Sequence, residues 1–100
     1  MEPYSSDMKP FQKRSRLEII QDILKVIRDS NNIISPTKLQ RLSNLSYQMF
    51  EEYLGELESK GMVELKQYKG KRNVYSLTQK GKQFLDKYED FVSFLREFGL

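Results

Sequence analysis

Hydrophobic positions along this 100-residue chain follow two different periods, and each predicts its own kind of element. Leu17, Ile20, Leu24 and Ile27 recur at helical spacing, widened by Ile19, Ile23 and Val26, which predicts an amphipathic helix that buries this stripe. Ser15, with Glu18 three positions on, supplies a capping box at its start, and Asp29-Ser30-Asn31-Asn32 ends it. Ile33-Ile34 is too short for more than a bridge or an edge strand. Ser35-Pro36 then opens a short helix reaching about Leu42 that buries Leu39 and Leu42. Ser43-Asn44-Leu45-Ser46 makes a tight connection, after which Ser46 caps a third helix from Tyr47 to about Lys60. Gly61 stops it, and Phe50, Tyr53, Leu54 and Leu57 form its buried face.

The second period is alternation. Met62–Tyr68 and Val74–Leu77 read as paired strands around a loop that holds Gly70, the signature of a hairpin. Thr78 caps a last helix, about Gln79 to Glu97, roughly 28 Å long at 1.5 Å per residue. Met1 to Gln12 carries Pro3 and Pro10 and keeps no period, as expected of a flexible arm. Two helices joined by a turn of about four residues are a helix-turn-helix signature. The whole order, helix, short strand, two helices, two strands, helix, is that of a winged helix. The expected class is therefore mainly α with a small β-hairpin (α+β), a winged helix-turn-helix with a C-terminal dimerisation helix. Its expected parts are an arm at 1–12, a winged-helix domain at 13–78 and the dimerisation helix at 79–100.

Composition narrows what such a fold could do. Hydrophobic residues make up 38% and charged residues 31%, enough for one modest core under a heavily charged surface. Cysteine and histidine are both absent, which excludes a disulfide frame, thiolate metal sites and the commonest general base and metal ligand. No run approaches the roughly 18 apolar residues of a membrane span, and no signal-type apolar region opens the chain, so a cytoplasmic location is expected. Net charge is only +3, yet its distribution is uneven. Lys66, Lys69, Lys71, Arg72, Lys80 and Lys82 follow one another with no acid between them, and Lys9, Lys13, Arg14 and Arg16 form a second basic run. The acids gather in the third helix as Glu51, Glu52, Glu56 and Glu58, so local fields exceed what the net figure suggests.

Three stretches, Arg14–Leu24, Asn44–Glu64 and Tyr75–Leu85, resemble the small archaeal winged-helix DNA-binding proteins. The more specific pieces are Leu45-Ser46-Tyr47 opening the third helix and Leu77-Thr78 followed by Lys80-Gly81 leading into the fourth. Members of that family dimerise through a C-terminal helix that forms an antiparallel coiled coil. The resemblance implies binding of double-stranded DNA as a homodimer, in transcriptional control or as a nucleoid-associated chromatin component.

Candidate contacts follow from chemistry at each position. At the hairpin, Lys69, Lys71 and Arg72, with Lys66 behind them, suit phosphate oxygens along the backbone or minor groove. At the start of the third helix Ser46, Tyr47 and Gln48 are offered to the major groove, where glutamine is able to bond adenine bidentately. Glu51 and Glu52 repel phosphate and are expected to be solvated. Arg14 and Arg16 are candidates for a basic arm on the backbone, and Lys38 and Arg41 for flanking phosphate contacts. On the last helix Phe84, Tyr88, Phe91, Leu95 and Phe98, with Leu85 and Val92, exceed what one small core buries; Tyr88, Phe91, Val92, Leu95 and Phe98 are the expected dimer contact. The competing reading is a winged-helix protein-interaction module that docks a basic partner on its acidic third helix. Neighbouring acids such as Glu89 and Asp90 lack a nucleophile motif, a phosphate loop or metal spacing, so no enzyme, cofactor, metal or small-molecule substrate is expected.

Overall fold

The computed structural model describes residues 14–100; the arm expected at 1–12, and Lys9 and Lys13 with it, lie outside the described residues. The chain folds into α1 (Arg16–Asp29), α2 (Pro36–Ser43), α3 (Tyr47–Ser59), an antiparallel hairpin of β1 (Val63–Tyr68) and β2 (Arg72–Leu77), and α4 (Gln79–Glu97). Ile34 forms an isolated bridge with Tyr75, the minimal third strand its short apolar run permits. This is the expected mainly α winged helix with a small hairpin.

Local chemistry sets the helix starts. Ser15 accepts from the Glu18 amide while Glu18 reaches back to the Ser15 amide at 2.8 Å, closing a capping box. Ser35, Ser46 and Thr78 cap α2, α3 and α4 in the same sense, each satisfying an amide that the helix itself leaves open. The hairpin is longer than alternation suggested. Arg72 and Asn73 pair with Tyr68 and Gln67, so β2 starts two positions before Val74 and only Lys69, Gly70 and Lys71 remain in the loop.

The core joins one face of each element: Ile23, Leu24 and Ile27 from α1, Leu39 from α2, Phe50 and Leu54 from α3, Val63, Tyr75 and Leu77 from the hairpin, and Leu85 from α4. Two expected members are absent from it. Leu17 is exposed because α1 buries the face centred on Ile23, and Leu17 stands at the margin of that face in the first turn. Leu42 is exposed because α2 buries Leu39 and Ser43, one turn apart, which rotates Leu42 away from the core.

A tight elbow fixes α4 to the end of α3. The Thr78 amide donates to the Met62 carbonyl at 3.1 Å, and its hydroxyl donates to the Gly61 carbonyl at 2.6 Å while accepting from the Gly81 amide at 3.0 Å. The Lys80 ammonium donates to the carbonyl of Lys60, the residue that closes α3, at 2.8 Å. Gly81 is buried against the Met62 carbonyl so closely that a Cβ there would stand 2.1 Å from the oxygen. Farther along, Arg28 of α1 pairs with Glu89 of α4 at 2.8 Å, and the carboxylate holds the guanidinium above its ordinary pKa.

Candidate nucleic-acid interface

The turn between α2 and α3 is where a helix-turn-helix sets its angle. Asn44 takes the left-handed conformation at the end of α2 (φ 55°), a position its short polar side chain tolerates. Arg14 braces this turn. One guanidinium nitrogen donates to Asp22 at 2.8 Å and to the Ser43 carbonyl at 3.1 Å, and the other to the Asn44 carbonyl at 3.0 Å. Arg16 pairs with Glu56 of α3 and lies 5.9 Å from the centre of the Tyr53 ring. The Arg16 guanidinium lowers the Glu56 carboxyl below the ordinary glutamate range. Both arginines therefore hold α1 against the helix-turn-helix, rather than extending from it in this structure.

The first turn of α3 is open. Tyr47 and Gln48 are exposed, and Ser46 is exposed too while its oxygen accepts from the Met49 amide at 3.2 Å. That bond uses an acceptor site and leaves the hydroxyl proton free to donate. Beyond this turn Glu51, Glu52 and Glu58 are exposed on the outer face. Their field reaches the core: the Tyr75 phenol is pushed up to about 12 by burial first, then by Glu58 and Glu51. Lys38 and Arg41 are exposed on α2.

The hairpin projects its cations without compensation. Lys66, Lys69, Lys71 and Arg72 are all exposed, and none forms an ion pair among the described residues. The Lys71 amide donates to the Tyr68 carbonyl at 3.2 Å across the tip, with Lys69 (φ 55°) and Gly70 (φ 68°) both left-handed. The sequence model of the winged helix-turn-helix family matches residues 13–95, from the start of α1 almost to the end of α4. The chain belongs to that family.

Solved structures agree with this membership. The DNA-binding protein Sso10a-2 of Sulfolobus solfataricus superposes with a TM-score of 0.67 at 26% identity, covering 85% of each chain. SSV1 F-93 shares the fold at a TM-score of 0.59 and 21% identity, over 92% of this chain and 99% of its own. An uncharacterized protein of Methanocaldococcus jannaschii is 32% identical over 81 residues, 81% of this chain. This chain spans about a third (35%) of that relative's length.

On this winged helix, α4 outgrows the core. Gly81 and Leu85 are buried, whereas Phe91, Phe94 and Phe98 are 57%, 53% and 68% exposed and Tyr88, Val92 and Leu95 are half-buried. The Phe94 and Phe98 rings pack with centres 5.0 Å apart and planes tilted by 50°. The stripe read from spacing steps by four from Phe91 to Leu95 and so passes over Phe94, three positions on. A second residue that spacing did not reveal is Tyr68. Its ring lies 5.3 Å from the Lys69 ammonium and 5.7 Å from the Arg72 guanidinium. The signal was an aromatic residue flanked by cations on both arms of a tight turn.

Proposed function

We propose that this protein binds double-stranded DNA as a homodimer, acting as a transcriptional regulator or a nucleoid-associated component of the cytoplasm. The observation that carries the reading is the wing: exposed cations with no carboxylate partner among the described residues, on an antiparallel hairpin beside a helix-turn-helix. The description of Sso10a-2 as a DNA-binding protein supports it. Lys66, Lys69, Lys71 and Arg72 meet phosphates, Lys38 and Arg41 flank them, and Ser46, Tyr47 and Gln48 approach the base edges from the first turn of α3. Arg14 and Arg16 contribute indirectly, by setting the angle of α3. Glu51, Glu52 and Glu58 limit how deeply α3 enters the groove, so most of the affinity is electrostatic and base readout is confined to the helix start.

The second copy seats on the distal half of α4, where Phe91, Phe94 and Phe98, with Tyr88, Val92 and Leu95, form an aromatic stripe that a lone chain leaves in water. Light scattering should give twice the mass of one chain, and Phe91→Glu with Leu95→Glu should give monomers that bind duplex more weakly, since two half-sites are no longer coupled.

A salt titration of a fluorescent duplex by anisotropy tests the DNA reading. Each phosphate contact contributes about 0.9 to the slope of log affinity against log salt. Replacing Lys69, Lys71 and Arg72 with alanine should lower that slope by roughly 2 to 3 per subunit at unchanged sequence preference. Parent protein that fails to bind duplex at low salt overturns the proposal and favours a protein-interaction module that uses the acidic face of α3.

A further inference from the structure

The wing carries a feature that its charge alone does not require. β1 is exposed from Glu64 to Gln67, yet at its outer end Tyr68 is partly covered. The two cations over its ring are Lys69, the first residue of the loop, and Arg72, the partner of Tyr68 at the start of β2, with their charged groups 5.3 and 5.7 Å from the ring centre. Lys69 reaches its place from a left-handed backbone (φ 55°), a conformation that favours glycine or asparagine at a hairpin tip. Backbone strain is therefore accepted at the position that carries the charge.

The electrostatics are equally specific. Lys69 and Arg72 repel one another, and neither finds a carboxylate among the described residues. The negative face of an aromatic ring attracts cations, so Tyr68 offsets part of that repulsion and holds both charges at the wing tip. What remains is one planar fork of donors and one point charge over the same ring, and donors of this kind suit a phosphodiester group. A cation already held over a ring also loses less side-chain entropy on meeting that group than one on a free stem.

We propose that Tyr68 is the positioning residue of the wing, whose ring assembles Lys69 and Arg72 into one seat for a backbone phosphate. The proposal rests on the DNA reading given above. It separates Tyr68→Leu, which removes the ring, from Tyr68→Phe, which keeps its face and deletes only the hydroxyl.

Two measurements on the full chain test it. In the free protein, proton NMR should show the Lys69 and Arg72 side-chain methylenes shifted upfield by the ring current in the parent and in Tyr68→Phe, and returned to ordinary positions in Tyr68→Leu. In anisotropy titrations on one duplex, Tyr68→Leu should bind about fivefold more weakly per wing, the loss expected from exposed cation–π contacts, while Tyr68→Phe binds like the parent. Thermal unfolding of each variant reports whether the hairpin itself has suffered. Tyr68→Leu that keeps the parent's stability and affinity overturns the proposal, as does a parent spectrum with no upfield shift. Failure of the DNA reading itself is recognised separately, because the parent would then not bind the duplex.

Discussion

The two ends of β2 lie in opposite surroundings. At Arg72 the strand begins in water, on a turn whose cations rest on an aromatic ring and whose glycine borders open space. At Leu77 it ends in the core, at an elbow where backbone and side-chain donors converge on the Gly61 and Met62 carbonyls and the next glycine touches backbone. One end is exposed to solvent and the other is packed against backbone; in the proposed function the first would meet DNA and the second would fix where. Substitutions at the outer end should therefore register in binding, and those at the inner end in stability.

The sharpest contrast is between the two glycines. Gly81→Ala drives a methyl group into the Met62 carbonyl, and neither α4 nor β1 yields without losing contacts around Leu85 and Val63. A loss of about 3 kcal/mol is expected, measured as a shift of the urea midpoint. A change below 1 kcal/mol would show that the elbow is looser than its bonds suggest.

Between the ends, Tyr75 reports on the buried part of the strand. Its phenol has a folded pKa of about 12 against an ordinary 10, raised by burial and then by Glu58 and Glu51. Because the folded value is the higher, folding favours the neutral phenol: this contribution is complete below about pH 10 and is lost as pH rises through 12. The loss amounts to about 2 to 3 kcal/mol by pH 12. Comparing denaturant unfolding of the parent and Tyr75→Phe at pH 8 and pH 11 checks it, and the phenylalanine variant should lose distinctly less. Equal losses would remove Tyr75 from the account.

At the outer end, Gly70→Ala meets no neighbour and suffers only from its left-handed backbone, so its cost should be about 1 kcal/mol. If both glycine variants cost the same, the contrast between the ends is lost. The smallest effect is expected on the acidic face of α3. Glu51→Gln with Glu52→Gln should strengthen binding to every duplex by a few-fold at most, and spectrophotometric titration should place Tyr75 closer to its ordinary value. A loss of binding confined to one sequence would instead mean that these carboxylates read cytosine.

How far the sequence foretold this arrangement depends on where each cause lies. The helix starts were legible because Ser15 with Glu18, Ser35 with Pro36, Ser46 and Thr78 act on amides within their own first turn. The bridge at Ile34 and the buried face of α3 were legible because periodicity is a local property. Leu17 and Leu42 were misplaced because a helical stripe gives a face but not its margins, which are set by neighbouring elements. The start of β2 was missed because Arg72 and Asn73 are strand residues only by virtue of their partners on β1. The Lys80-Gly81 pair was visible as part of a resemblance, but its reason is a carbonyl approach across the elbow that no spacing rule contains. In the candidate interface, the wing cations and the first turn of α3 are exposed on the hairpin and helix that the pattern predicted. The engagement of Arg14 by Ser43 and Asn44, 29 and 30 positions away, is a tertiary contact that a basic run cannot announce.

In the proposed dimer the elbow would also make this molecule a ruler. With the first turn of α4 bonded to the end of α3, α3 has little freedom to swivel against the helix that carries the aromatic stripe. In the proposed dimer, the distance between two recognition helices is then set by how the stripes mesh. Slippage by one helical turn would displace the domains by about 5.4 Å along the helix, more than the roughly 3.4 Å between neighbouring base pairs. Phe91, Phe94 and Phe98, far from any base, would thereby calibrate the spacing of the half-sites that the protein accepts.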